Sequence, residues 1–146
     1  MQKITPFLWF DGKAEEAAKF YVSLFKNSKI IYTSPIVVKF SLDGVEYMAL
    51  NGGPMYKFTE AFSLYIECKD QKEVDNYWEK LSEGRSKGQC GWLKDKYGLS
   101  WQVIPERLPE LMMSDDEAKS KRVMDEMLKM SKIDIEALER AYNKNE

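Results

Sequence analysis

The chemistry open to this 146-residue chain is limited first by a residue it lacks: it contains no histidine. That absence removes imidazole acid–base catalysis, Ser-His-Asp triads, Cys-His dyads and imidazole-ligated metal centres. Its two cysteines, Cys68 and Cys90, form no CxxC pair and are too few for a structural zinc site. Cys90 also has no basic neighbour in sequence to lower its thiol pKa. Chemistry is left to carboxylates, lysines, hydroxyls, amides and aromatic rings.

The stretch KYGLSWQV, residues 96–103, shows where such groups gather. Gly98 permits a turn, and in the strand that follows Trp101 and Val103 share one face while Ser100 and Gln102 share the other. An amide on an otherwise apolar strand either orients a polar ligand or bonds to a loop. Upstream, alternation over residues 61–67 turns Phe62, Leu64 and Ile66 toward a helix, and Ser63, Tyr65 and Glu67 away from it. Glu67 is a general base if burial raises its pKa, and otherwise a strand-end carboxylate in water. Trp9 reads as core beneath the first helix or as a stacking platform. Asn51-Gly52-Gly53 reads as a strand-ending turn or as a nest of N–H groups for an anion, with Tyr47 and Tyr56 on either side.

These residues need elements to hold them. A strand is predicted over 3–10, then a helix over 13–26 with Ala14, Ala17, Ala18, Tyr21, Leu24 and Phe25 as its stripe. Strands are predicted over 29–33, 36–42 and 45–50, the last two joined by the Asp43-Gly44 turn. The order then restarts with a strand over 61–67 and a helix opened by the Asp70/Glu73 capping box, its stripe being Val74, Tyr77, Trp78 and Leu81. After the polar stretch SEGRSKG come strands over 90–93 and 99–104. Phe20-Tyr21 and Tyr77-Trp78 stand 57 residues apart, so the chain reads as β-α-β-β-(β) twice. Pro105 and Pro109 end the strand pattern. A helix follows, capped by Ser114/Glu117 with Val123, Met124, Met127 and Leu128 on one face. A last helix begins near Asp134, with Ile133 and Leu138 as its staple.

Composition sets the remaining bounds. The length suits a single domain with a real core, and 44% hydrophobic content excludes a disordered chain. A net charge of −2 with interspersed signs leaves no basic face for nucleic acid. The cluster Lys119, Lys121 and Arg122 shares its helix with Asp115, Asp116 and Glu117 and reads as a solvated face. No apolar run approaches the roughly 18 residues of a membrane span. The opening MQKITPFLWF does not read as a signal peptide, so reduced thiols and a cytoplasmic location are expected.

The stretches ITPFLWFDGKAEEAAKFY, MALNGGP, CGWLKDKYGLSWQVIP and MLKMSKIDIEAL resemble the PhnB-like branch of the vicinal oxygen chelate superfamily. That superfamily includes glyoxalase I, bleomycin- and fosfomycin-resistance proteins and extradiol dioxygenases. The resemblance covers nearly the whole chain. It implies an α+β fold of paired βαβββ modules forming a cupped mixed sheet, about 1–57 and 58–107, with a C-terminal helical extension over 108–146. It also implies a homodimer. Metal enzymes of the superfamily place a His on the first strand of each module and a Glu after a D-x-x-G turn. By motif, those positions here read Pro6, Ser63 and Gln102. No cofactor is therefore expected, although a divalent metal with Glu67 or another carboxylate as a ligand stays open. The expected function is binding of a small, partly apolar molecule in a concave dimeric pocket by Gln102, Ser63, Tyr65, Trp9, Asn51 and Ser100. The alternatives are a metal-dependent lyase, isomerase or transferase, and a metal-free acid–base enzyme using Glu67. The ubiquinone-methyltransferase label borne by some sequences of this branch finds no strand–GxGxG–helix element here to hold a methyl donor.

Overall fold

The computed structural model describes residues 2–83 and 88–144, so part of the SEGRSKG stretch lies outside the described residues. The chain divides into two compact units, Met1–Phe58 and Thr59–Glu146, and the helical extension belongs to the second.

The first unit runs β1 (Phe7–Phe10), α1 (Ala14–Leu24), β2 (Lys29–Thr33), β3 (Val37–Leu42) and β4 (Val45–Asn51). Its sheet has the order β1-β4-β3-β2, with β1 parallel to β4 and the other pairs antiparallel. Three buried alanines, Ala14, Ala17 and Ala18, bring α1 close to the sheet, and Tyr21 meets Phe40 at 6.4 Å between ring centroids. Leu8, Phe10, Val38 and Ala49 complete that core. Asp43 and Gly44 both take positive φ, 48° and 83°, in the two-residue turn joining β3 to β4. This is the reversal their sequence predicts. The first strand is shorter than the predicted span because Pro6 has no N–H for the ladder. Its carbonyl still accepts from Met48 N at 2.9 Å, and the Gln2 side chain pairs with the Glu46 backbone in both directions.

The second unit runs β5 (Ser63–Cys68), α2 (Gln71–Ser82), β6 (Trp92–Lys94) and β7 (Ser100–Pro105), then α3 (Arg107–Met112), α4 (Glu117–Met127) and α5 (Ile135–Asn143). Its sheet order is β5-β7-β6, with β5 parallel and β6 antiparallel to β7. The capping box forms: Asp70 Oδ1 accepts from Glu73 N, and Glu73 Oε1 accepts from Lys69 N. Val74, Trp78 and Leu81 are buried, whereas Tyr77 is only partly so. Asp95, wholly buried, organises the turn into β7. Its Oδ1 accepts from Tyr97 N (2.8 Å) and Leu99 N (3.1 Å), and its Oδ2 accepts from the Trp101 indole (2.8 Å).

The extension builds its own apolar cluster from Ile104, Leu108, Leu111, Val123, Ile133 and Leu138. Two of its features differ from the sequence reading. Helix α3 is unforeseen, because Pro109 falls in its first turn, where a missing N–H costs nothing. Helix α4 is capped by Asp116 rather than Ser114, whose hydroxyl instead meets Tyr142 OH at 2.8 Å. Only Val123 and Met127 of the predicted stripe face the cluster; Met124 and Leu128, about 100° further round the helix, are exposed. Three sets of bonds hold the extension: one to α2, one internal between α3 and α5, and one to the residues just before β6. The Gln71 amide donates to Ile133 O and accepts from Ile135 N. Arg107 grips Glu139 through two bonds of 2.7 and 3.1 Å. Cys90 N and Gly91 N donate to Met130 O and Ser131 O.

Asp95→Ala is expected to strand buried donors and lower unfolding stability by about 3 kcal/mol or more. Denaturant titration checks this, and an unchanged midpoint would contradict the role assigned to the turn. The Arg107 guanidinium holds the Glu139 carboxyl below its usual range. A lowered carboxyl stabilises above its unfolded pKa, and that contribution is lost as pH falls through the lower folded value. The stability gap between wild type and Glu139→Gln, under about 1 kcal/mol for so exposed a pair, should therefore close on acidification.

Candidate functional site

Gln102, Ser63, Tyr65 and Ser100 come together on one sheet face of the second unit. In the β5/β7 register Ser63 lies opposite Ser100 and Tyr65 opposite Gln102. Gln102 Nε2 donates to Ser63 Oγ at 3.1 Å, and both residues are half-buried. The reverse face carries Ile66, Cys68, Trp101 and Val103, all buried. Phe62 does not join them. It precedes β5 in a turn with Thr59 and is 44% exposed. On the other side of β7, Trp92 lies opposite Gln102 and Lys94 opposite Ser100. The amide therefore sits between two aromatic residues, Tyr65 and Trp92. The sequence reading passed over Trp92, although counting back across the D-x-x-G turn from Gln102 reaches it.

The electrostatics of this face are muted. Lys94 Nζ lies 3.1 Å from Glu60. Ser100 is 1% exposed, and its hydroxyl has no hydrogen-bond partner among the described residues. Glu67 shares the face by alternation but is exposed, with the buried Ile104 opposite it. Desolvation, and then the charge of Glu67, raise the Tyr65 hydroxyl above its ordinary pKa, so it stays a protonated donor. On the reverse face burial pushes the Cys68 thiol up to about 12.

The remaining candidates lie in the first unit. Trp9 is not core beneath α1, where Leu8 and Phe10 point; it lies on the opposite sheet face. Its indole donates to Gly53 O at 2.9 Å and meets Tyr56 edge-on at 4.9 Å. Gly52 passes directly over the ring, with room for no side chain: a Cβ there would fall 2.4 Å from Trp9. Asn51 is occupied structurally, accepting from Ala14 N at the start of α1 and donating to Pro35 O. The backbone N–H groups of Asn51 and Gly52 go to Ile36 O and Phe10 O, so the nest is largely spent inside the fold. Tyr47 stacks on Phe40 at 5.5 Å on the helix side.

The two units also correct the placement of Pro6. The parallel pairs end at Phe10/Asn51 and at Cys68/Pro105, which makes Phe7 the counterpart of Tyr65 and Met48 that of Gln102. Thr5, not Pro6, then answers to Ser63. The helices repeat at the spacing read from the sequence, but the turn from strand to helix is one residue shorter in the second unit.

Likeness to solved structures and to a protein family gives this geometry a class. The chain shares its fold with the fosfomycin resistance protein FosX of Listeria monocytogenes, solved with Mn(II) and sulfate (17% identity, TM-score 0.50, covering 68% of this chain and 86% of that one). It shares it also with protein PA1353 of Pseudomonas aeruginosa (20% identity, TM-score 0.60, 73% and 98%). A PhnB protein of Bacillus cereus is more alike, at 37% identity and a TM-score of 0.66, covering 71% of this chain and 99% of that one. This is the α+β glyoxalase/bleomycin-resistance fold of the vicinal oxygen chelate superfamily. Residues 2–104 match the model of the family described as 3-demethylubiquinone-9 3-methyltransferase, and the chain belongs to that PhnB-like family. No curated protein matches it. The family match stops at Ile104, so α3, α4 and α5 lie outside it, and the likeness is narrower than the near-complete coverage read from the sequence.

Ser100→Ala removes a buried hydroxyl that has no partner among the described residues, so thermal stability should hold or rise. A fall of several degrees would reveal a partner for that hydroxyl. Cys68 should resist alkylation at pH 8 until the protein unfolds, as followed by mass spectrometry; labelling at the rate of a free thiol would contradict its burial.

Proposed function

We propose that this chain is a cytoplasmic, homodimeric binding protein that holds a small, partly apolar molecule in a concave pocket, using the Gln102 face and no catalytic metal. The observation that supports this is the neutral pair Gln102–Ser63 at 3.1 Å, at positions that the family resemblance implies are ligand positions in metal enzymes of the superfamily. An amide and a hydroxyl bring no charge to a divalent transition metal and are poor donors for one. Among the described residues no three Asp, Glu or Cys side chains converge on a possible metal position. By their donor chemistry, the neutral Gln102 and Ser63 do not fit a divalent ion such as the Mn(II) in the FosX structure.

The methyltransferase in the family's description does not extend to a mechanism here. The two turns from parallel strand to helix, Asp11-Gly12-Lys13 and Lys69-Asp70, lack the glycine-rich loop that lets backbone approach a nucleotide-bearing methyl donor. Acid–base chemistry by Glu67 is the weaker reading, because its side chain is exposed at the strand end, opposite Ile104 and not beside Gln102. Among the described residues no helix is long and apolar enough to cross a membrane.

Native mass spectrometry of freshly purified protein tests the proposal. A dimer mass with a co-purifying organic adduct and no transition metal is expected. A stoichiometric transition metal, or a ligand-free monomer, would contradict it.

A further inference from the structure

Resting on the reading of the Gln102 face as a ligand site, we propose that its ligand is a planar, uncharged ring. The ring would lie between Trp92 and Tyr65, with a carbonyl or N–H on its edge read by the Gln102 amide. Three observations converge on this class.

The first is spacing. Trp92 and Tyr65 stand on the two strands that flank β7, each directly opposite Gln102. Two strand spacings separate their backbones by about 10 Å. One ring with van der Waals contact on both sides needs roughly 7–8 Å, so the gap across β7 suits a single ring and not a stack of two. Tyr65 is 51% exposed and Trp92 half-buried, so both present ring surface.

The second is charge. Lys94, the one lysine placed on this face by the β6/β7 register, is turned to Glu60, and Glu67 at the far end opposes anions. With Lys94 paired to Glu60 and Glu67 out at the exposed strand end, no unpaired charge stands beside Gln102 on these strands, and a ligand of either sign gains no ion pair there. Neutral hydrogen-bonding chemistry remains.

The third is an unpaired hydroxyl. Gln102 makes one hydrogen bond among the described residues, to Ser63, leaving its Oε1 and one N–H for a ligand edge. Ser100, buried and opposite Ser63, has no partner for its Oγ among the described residues, so spare hydrogen-bonding capacity lies on both strands of this face. A ligand edge can engage Gln102 Oε1 without breaking the bond to Ser63.

Four bicyclic probes separate the possibilities by tryptophan fluorescence titration: isoquinolin-1-one as a neutral lactam, 1-naphthoate, N-methylquinolinium and naphthalene. The lactam should bind at least tenfold more tightly than the other three. Trp92→Ala, with its fold confirmed by near-ultraviolet circular dichroism, should weaken lactam binding at least fivefold. Gln102→Leu should abolish the preference for the lactam over naphthalene. Preference for either ion, or lactam affinity unchanged in both variants, would overturn the inference. So would a failure of all four probes to bind. If a small molecule still co-purified with the protein in that case, the broader reading of a binding protein would stand while this ligand class fell.

Discussion

The structure of the second unit depends on one buried carboxylate. Asp95 satisfies the backbone N–H groups of Tyr97 and Leu99 and the indole of Trp101 from a position with no solvent contact. Those bonds close the turn and anchor Trp101 on the inner face of β7. Once Trp101 is inward, period-two alternation leaves no choice for Ser100 and Gln102, which must face the other way. The same turn sets the β6/β7 register and hence the position of Trp92. A carboxylate that never meets solvent thereby decides which side chains line the candidate site.

Comparison of the two units shows what the second has gained. Phe7 and Met48 in the first occupy the positions of Tyr65 and Gln102 in the second. Trp9 and Leu50 extend the apolar character of the first unit's face, where Lys39 and Glu46 neutralise one another at 3.2 Å. Met48 can only pack, whereas Gln102 can donate and accept. One scaffold is used twice, but the hydrogen-bonding side chains of this face are concentrated on one copy. The extension adds to this copy alone: its linker holds Cys90 and Gly91, and Gly91 O in turn accepts from Val103 N on β7. The start of β6, and with it Trp92, is thus braced by the segment between α4 and α5, which lies beyond the family match.

Much of this was legible in the residues. The alanine stripe of α1, the Asp43-Gly44 turn, the Asp70/Glu73 box and the Ile133/Leu138 staple each carry a local signal strong enough to survive packing. So did the pairing of Gln102 with Ser63 on one face, because alternation is a property of the strand itself. What escaped notice depended on tertiary context. Pro109 signals a break until its position in the first turn of α3 is known. Trp9 looks like core until the register of β1 against β4 turns it to the opposite face. Pro6 was misplaced by a single residue because the strand-to-helix turns differ in length, a difference that helix periodicity cannot report. Trp92 was overlooked because its importance lies in what stands opposite it.

The central claim is that the Gln102 face recognises its ligand through neutral groups and not through a metal. Manganese offers the most direct check, because bound Mn(II) loses the sharp paramagnetic resonance signal of the hydrated ion. Titrating Mn(II) into metal-free protein should leave that signal at its buffer intensity up to equimolar concentration. Stoichiometric loss of the signal, restored in Gln102→Leu, would contradict the account.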